Sequence, residues 1–206
     1  MASSKGRRGP VNASDLVAQL NADPEYQQRK AEFDHGLKER SEVLRRAEQP
    51  IVRALRDAGY DVSSVWDLLS AAEPYPEALP VLLEHLQRGG YPDRVMESLG
   101  RAVAVRSSSF AWQTLRELYL RANGRGEEEG QLALALSVSA TKEHLDALIE
   151  LLGEEPRGES RIHFLRPIKR LGGERGLRVI ESLLDHPLLG KEAAACLRKA
   201  RARRAQ

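Results

Sequence analysis

Apolar residues recur along most of the chain at spacings of three, four and seven, which is the period of an amphipathic helix. No stretch keeps the strict alternation of a half-buried strand, and valine, isoleucine and threonine do not cluster. Leucine, alanine, glutamate and arginine dominate, and all four are good helix formers. Proline and glycine interrupt the pattern at short intervals and mark turns. The pattern predicts an all-α chain of short helices.

The first long helix is predicted over residues 24–58. Asp23 can accept hydrogen bonds from the free amides of a helix start, and Pro24 fits the first helical position. Pro50 interrupts this segment, so we expect a kink or a split there. Apolar residues at spacings of 7, 4, 7 and 7 form one narrow stripe along it: Tyr26, Phe33, Leu37, Leu44 and Ile51.

Composition separates the N-terminal region from the rest of the chain. Residues 1–13 are rich in glycine, serine and arginine and lack an apolar period, so we expect a disordered leader. Ser14 or Asp15 is predicted to begin a short helix that ends at Leu20. Residues 14–59 are interpreted as an amphipathic helical segment that caps the domain formed by residues 60–206.

Four helices beyond Gly59 share one register. The segments are YPEALPVLLEHL (75–86), SSFAWQTLRELY (108–119), TKEHLDALIELL (141–152) and GERGLRVIESLL (173–184). They align anchor residues that are 33, 33 and 32 positions apart: Leu79, Trp112, Leu145 and Leu177. A second helix is predicted after each anchor helix, over residues 93–105, 127–139, 160–171 and 191–203. The repeating unit is therefore a helical hairpin, which must stack on its neighbours to bury its apolar face.

The second helices carry a resemblance to HEAT repeats, in particular the bacterial type also found in phycobilisome lyases. YPDRVMESLGRAV, SRIHFLRPIKRLGG and LGKEAAACLRKA are similar to the family's Asp-Pro-x-Val-Arg-x-x-Ala-x-x-Ala-Leu-Gly pattern. Leu99-Gly100 matches its Leu-Gly pair, Ala193 and Ala194 match its small core residues, and Gly172 matches its terminal glycine.

This resemblance covers roughly residues 60–203. It departs from the family where Pro167 lies mid-helix and where residues 127–139 keep little of the pattern. The whole chain, including ADPEYQQRKAE and WDLL, also looks like bacterial HEAT-repeat proteins. The resemblance implies a right-handed α-solenoid of about four to five HEAT-like hairpins, with a long N-terminal helix and a short basic tail.

Charge along the chain is more informative than its total. The 206 residues hold 32 basic and 30 acidic side chains, a net of +2, which argues against a polycation built for nucleic acid. Residues 127–155 contain eight acidic residues and one basic residue, whereas residues 156–206 contain thirteen basic and five acidic. The C-terminal third is thus either a solvated basic surface or a surface for an anionic partner.

The same composition predicts a cytoplasmic protein. Cys196 is the single cysteine, which excludes a disulfide framework within the chain and fits a reducing compartment. The basic start, MASSKGRRGPV, is not followed by an apolar run typical of a secretory signal. The longest apolar-leaning stretch, residues 132–140, is too short to span a membrane, so no membrane partner is expected.

No catalytic, cofactor-binding or metal-binding residue is predicted. The five histidines are dispersed and none follows another at the i+3 or i+4 spacing of metal ligands. The sequence Gly124-Arg125-Gly126 is followed by three glutamates, which would repel a phosphate. Cys196 lies among alanines on a predicted helix, where a small buried thiol is the expected role.

Two tryptophans invite a comparison with HEAT-like DNA glycosylases that act on alkylated purines. Those enzymes use tryptophans and an acid on a basic concave surface, and Trp66-Asp67 offers such a pair. Trp66 also fits a packing stripe, and Trp112 occupies an anchor position, so core or inter-repeat packing is the favoured interpretation of both.

The second helices of stacked hairpins usually line a concave face, which is the usual ligand surface. Basic residues at neighbouring helical positions are predicted to form a strip there that binds an acidic protein partner: Arg94, Arg101, Arg161, Arg166, Lys169, Arg170 and Arg198. The predicted function is a non-catalytic scaffold or adaptor. A nucleic-acid-binding protein related to the alkylpurine glycosylases is the alternative, and an enzyme related to bilin lyases is a third. The identity of the partner and the oligomeric state are not predicted.

Overall fold

The computed structural model describes residues 12–71, 73–122, 124 and 126–204, without the side chains of Asp15 and of residues 199–204. Ten α-helices and four short 3₁₀ segments make up most of this part of the chain, and it contains no β-strand. The predicted all-α class is therefore confirmed for the described residues. The chain divides into two compact units, Met1–Arg46 and Ala47–Gln206.

The described part of the first unit contains two helices, each capped at its N-terminus by a side chain. Helix α1 spans Ala13–Ala22, and the side chain of Asn12 accepts a hydrogen bond from the amide of Ser14 at 3.3 Å. Helix α2 spans Pro24–Asp57 and runs on into the second unit. The carboxylate of Asp23 accepts from the amides of Glu25 at 2.9 Å and Tyr26 at 3.3 Å, as the Asp-Pro pair predicts. The predicted leader, residues 1–13, lies outside the described residues apart from its last two positions.

The predicted apolar stripe is not covered within the first unit. Phe33 is 62% exposed and Leu37 is 45% exposed. The buried residues of α2 all lie beyond position 46: Glu48, Ile51, Val52 and Leu55. The first two thirds of this helix therefore bury no side chain fully.

Helix α2 is not split at Pro50. A proline inside a helix costs about 3 kcal/mol through the lost hydrogen bond and the clash of its ring. Burial of one large aliphatic side chain contributes about 1.5–3 kcal/mol, and Ile51, Val52 and Leu55 are all 0–1% exposed. The burial that follows Pro50 outweighs the cost of the proline.

The second unit consists of the end of α2 and eight further helices that pack in sequence. Helices α4, α6 and α8 contact α5, α7 and α9 respectively, which are their successors in the chain. The successors also contact one another in order, since α3 contacts α5, α5 contacts α7, α7 contacts α9 and α9 contacts α10. The helices are α3 (Val65–Ser70), α4 (Leu79–Arg88), α5 (Asp93–Ala102), α6 (Trp112–Arg121), α7 (Gly126–Ser139), α8 (Leu145–Leu152), α9 (Ile162–Glu181) and α10 (Gly190–Arg204).

The register read from the sequence has a counterpart in burial. At one aligned position the residue is 0% exposed in all four segments: Leu82, Leu115, Leu148 and Ile180. The position four residues further on is also buried in the first three segments, but Leu184 in the last is 46% exposed. The anchors themselves are buried in the first two segments, at Leu79 and Trp112, and only half-buried at Leu145 and Leu177.

A break in α9 separates what the sequence predicts as two helices. Gly173 has φ 52° and ψ −130°, which is outside the helical region and favours glycine. The chain bends back so closely that a Cβ on Gly176 would collide with the carbonyl oxygen of Ile168. The two glycines thus allow the second half of α9 to pack against the first.

Candidate binding cleft

The structure brings together only part of the predicted basic strip. Of its seven members, Arg166 and Arg170 line one cleft between α7 and α9. Arg94 and Arg101 lie on α5, where they face a tryptophan. Arg161 and Lys169 are bound to backbone carbonyls. Arg198 is exposed on α10 and does not line this cleft.

Arg94 and Arg101 enclose Trp66 of α3. Their guanidinium carbons lie 4.7 Å and 5.6 Å from the indole centroid, which is a cation–π geometry. Glu97 lies between the two arginines and pairs with Arg94 at 2.6 Å and with Arg101 at 3.0 Å. The charges of these two arginines are thus partly neutralised by a carboxylate that is itself largely buried.

Arg161 does not belong to an accessible surface, which corrects its predicted role. It is 2% exposed, and its guanidinium donates to the carbonyl oxygens of Leu152 and Gly158, both at 3.1 Å. The ammonium of Lys169 likewise donates to the carbonyl oxygen of Cys196 at 2.8 Å. These two side chains satisfy backbone acceptors and join segments of the fold.

The α7–α9 cleft encloses about 610 Å³ and has an apolar floor. Leu134 and Val138 of α7 and Ile162 of α9 are half-buried, and Pro167 of α9 is buried beneath them. Helix α7 carries the sequence LALALSVS, which is apolar on more than one face. Its core face packs against α5, α6 and α9, while Leu134 and Val138 are left facing the cleft.

Three arginines form what we call the basic end of this cleft: Arg106, Arg166 and Arg170. Arg170 donates to the carbonyl oxygens of Ser137 at 3.4 Å and Ala140 at 3.3 Å, at the C-terminus of α7. Arg166 forms a long ion pair of 3.4 Å with Glu192 of α10, and the side chain of Arg166 is 75% exposed. Arg106 makes no hydrogen bond or ion pair with any residue in the described ranges. Its donors are therefore open to a ligand.

Arg106 was missed by sequence reasoning. It begins the 3₁₀ segment Arg106–Ala111, which connects α5 to α6, and Arg106 itself precedes the aligned segment 108–119. Three serines follow it, and nothing in their pattern indicates that a connection would reach the cleft of another hairpin.

A second space of about 730 Å³ adjoins the cleft, and Ile162 and His163 line both. Gly126, Gly130 and Gly158 border this space, and none of them has an atom within 4 Å of where a Cβ would lie. Glu127 and Glu159 are exposed on its border. We call these two glutamates the acidic end.

A network of buried and half-buried polar side chains lies next to the acidic end. Glu129 is 4% exposed and accepts from the amide of Gly124 at 2.9 Å and from the hydroxyl of Ser160 at 2.7 Å. The Ser160 hydroxyl lies 2.9 Å from that of Tyr119, whose ring is covered by the guanidinium of Arg157 at 4.7 Å. Burial raises the pKa of Tyr119, so the phenol stays protonated at neutral pH. The network fixes the segment before α9 against α7.

Two histidines pack against aromatic side chains. The imidazole of His85 lies 2.6 Å from the Tyr91 hydroxyl, and that of His144 stacks on Trp112 at 4.2 Å. Burial lowers the pKa of His85, His144 and His163, and the charge of Arg166 lowers the pKa of His163 further. No group of three or more histidine, cysteine or acidic side chains in the described residues could hold a metal ion.

Asp67 of the Trp66-Asp67 pair is used at the start of α3. The carboxylate of Asp67 accepts from the amides of Ser63 at 2.8 Å and Ser64 at 3.1 Å and so caps α3. Trp66 is half-buried beneath two arginines rather than in the core. Trp112 is 3% exposed and donates its indole N–H to the carbonyl oxygen of Leu136 at 3.1 Å, which confirms its predicted packing role.

Within the described helices, none is both long enough and apolar enough to cross a membrane. The chain matches none of the family models, curated proteins or solved structures with which it was compared.

Proposed function

We propose that the second unit is a HEAT-like solenoid of helical hairpins that binds a protein partner and catalyses no reaction. The consecutive contacts of α3, α5, α7, α9 and α10 support stacking of hairpins. The fully buried residues at 33-, 33- and 32-residue spacing support a common repeat: Leu82, Leu115, Leu148 and Ile180.

The α7–α9 cleft is the surface that supports this function best. The observation that carries the proposal is a half-exposed apolar floor bordered by arginines whose donors are largely unused. An apolar floor with a charged border is the usual composition of a recognition site. Arginine binds carboxylates in a planar, bidentate geometry, so the partner that fits carries acidic side chains beside apolar ones.

The test is capture of a partner from a lysate of the source organism by the immobilised full chain. The Arg106→Glu/Arg166→Glu variant reverses two charges at the basic end. The Arg45→Glu/Arg53→Glu variant makes the same change of charge at exposed positions of α2. We expect one partner to be retained by the wild type and by the α2 variant, and to be lost by the cleft variant. Equal retention by all three proteins would contradict the proposal.

Nucleic acid is the second candidate, and the basic end is the observation that favours it. The acidic end opposes it, since Glu127 and Glu159 border the same cleft and would repel a phosphate backbone. We expect no salt-dependent shift of duplex or single-stranded DNA in a gel titration at low ionic strength. A shift that weakens steeply with salt and is lost in the Arg106→Glu/Arg166→Glu variant would favour nucleic acid instead.

A further inference from the structure

The two ends of the α7–α9 cleft carry opposite charge. Ile162 and His163 line both spaces, so the basic end and the acidic end lie on either side of the same two residues. Glu127 and Glu159 make no ion pair with any residue in the described ranges, and both are exposed. Arg157 lines the acidic end as well, but its guanidinium donates to the carbonyl oxygens of Tyr119 and Leu120. A ligand that spans both spaces therefore meets two exposed carboxylates at one end and arginines at the other.

The length of the cleft limits the size of that ligand. Positions 159 and 170 border its two ends and lie on the continuous run of the 3₁₀ segment Glu155–Arg161 and helix α9. At 1.5–2.0 Å per residue these eleven positions span about 16–18 Å. An α-helix of about eleven residues, or three turns, has the same length.

The chemistry of the cleft walls favours a helix over an extended peptide. Most backbone amides and carbonyls of α7 and α9 are used inside those helices, so the walls offer few partners to an extended backbone. A helical ligand satisfies its own backbone and needs only an apolar stripe to cover the floor. Open space at Gly126, Gly130 and Gly158 leaves room for its side chains at the acidic end.

We propose that the cleft binds a three-turn amphipathic helix of the partner that is bipolar, with carboxylates at one end and lysine or arginine at the other. This inference rests on the proposed function and deepens it. Under that function alone, any acidic amphipathic segment would suffice. The acidic end of the cleft adds a second requirement, which selects the partner and fixes the direction in which its helix lies.

The probes for the test are three stapled helical peptides of about twelve residues that share one leucine stripe. The bipolar probe carries glutamates in the first turn and lysines in the last. The acidic probe carries glutamates in both turns, and the basic probe carries lysines in both. Binding to the full chain is measured by fluorescence anisotropy at low salt. We expect the bipolar probe to bind about two- to tenfold more tightly than the acidic probe, because exposed ion pairs are individually weak.

Two variants assign that preference to the acidic end. Glu127→Gln/Glu159→Gln is expected to weaken the bipolar probe to the level of the acidic probe without weakening the acidic probe. Asp57→Asn/Glu181→Gln removes the same charge at exposed positions outside the cleft and is expected to change neither affinity. Circular dichroism checks that each variant is folded.

The outcomes separate the two proposals. If the acidic probe binds as tightly as the bipolar probe, and the binding depends on Arg106 and Arg166, the bipolar requirement is overturned while the proposed function stands. If the Glu127→Gln/Glu159→Gln variant keeps the full preference, the assignment to the acidic end is overturned. If no probe binds, the bipolar helix is overturned, and the lysate capture decides the proposed function independently.

Discussion

Arg161 and Arg166 are one and a half helical turns apart in the chain, yet their side chains differ in burial and in hydrogen bonding. Arg161 is buried and donates to two backbone carbonyls, whereas the side chain of Arg166 is 75% exposed and borders a cleft. The difference comes from what surrounds them. Arg161 meets the end of α8 and the turn at Gly158, where carbonyls lack helical partners, and Arg166 meets solvent and one glutamate.

Removing the Arg161 guanidinium should therefore destabilise the fold. Arg161→Leu removes the donor from the buried bond to the carbonyl oxygen of Leu152 and from the part-buried bond to that of Gly158, which costs about 1–3 kcal/mol. Arg166→Leu should cost less than about 1 kcal/mol, because its single ion pair is long and exposed. Urea denaturation of the two variants measures both changes. Equal losses of stability would mean that Arg161 is not held as described.

One buried and two half-buried histidines predict how stability depends on pH. Burial lowers the pKa of His85, His144 and His163 below the usual 6.5, which they regain in the unfolded chain. The unfolded state thus binds more protons between the folded pKa and 6.5, so the free energy of unfolding is highest above pH 6.5 and falls as the pH drops below it. Thermal unfolding between pH 7.5 and 5.5 tests this, and His85→Gln should flatten the dependence. A melting temperature that rises on acidification would contradict it.

The sequence shows which residues are basic but not which of them are accessible. Arg166 and Arg170 were predicted for the partner surface and do border the cleft. Arg161 was predicted with them because helical spacing carries no information about the carbonyls of distant segments. Arg106 was missed for the converse reason, since its place at the cleft depends on how a connection crosses a neighbouring hairpin.

At the scale of single elements, α9 depends on two glycines. Gly173 adopts a positive φ at the break, and Gly176 lies where the backbone of the first half leaves no room for a side chain. The sequence predicts the break through Gly172-Gly173 but does not predict the close approach at Gly176, which depends on how sharply the chain bends back at Gly173.

Gly176→Ala should destabilise the protein, because the added Cβ meets the carbonyl oxygen of Ile168, a backbone atom that cannot turn aside. We expect a loss of at least about 1–3 kcal/mol, the range for overpacked sites. Gly130→Ala is the matched control. Gly130 lies inside α7 with open space around it, and alanine there should stabilise by about 0.5–1 kcal/mol. Thermal melts with opposite shifts would agree with both expectations, and a neutral Gly176→Ala would disprove the first.

Helix α7 shows why an element can be predicted while its role is not. Its bounds, Gly126–Ser139, agree with the predicted 127–139 within one residue. Its sequence departs from the repeat pattern because apolar residues occupy several faces. One set of them contacts α5, α6 and α9, and the remainder forms the cleft floor. The weak pattern at this helix is thus a consequence of its use on two sides.

At the scale of the whole molecule, the two units differ in how much they bury. The second unit contains the core, including the fully buried residues of every aligned segment. In the first unit the described residues of α2 up to position 46 bury no side chain fully, although its apolar stripe was read correctly as a pattern. Periodicity predicts a helix and its apolar face, but it does not predict what covers that face.

Hydrogen exchange should divide α2 accordingly. Helical stability in proteins comes mainly from packing of an apolar face, so amides of residues 24–46 should open locally at low cost. Amides of residues 51–57 should exchange much more slowly, because Ile51, Val52 and Leu55 are 0–1% exposed. Exchange followed by mass spectrometry on peptides from the two regions measures the difference. Uniform protection along α2 would mean that something covers the exposed stripe in solution.

The two hydrogen bonds of Arg170 bear on the entropy cost of binding a ligand under the proposed function. Its guanidinium already rests on the carbonyls of Ser137 and Ala140, so much of its rotamer freedom is lost before any encounter. Immobilising such a long side chain on binding costs about 0.5–1.5 kcal/mol. Arg170 is already restricted in the folded protein, so its part of this cost on binding is smaller. Arg106 has no such anchor among the described residues. Under the proposed function, the basic end thus combines one preorganised arginine with one that adapts to the ligand.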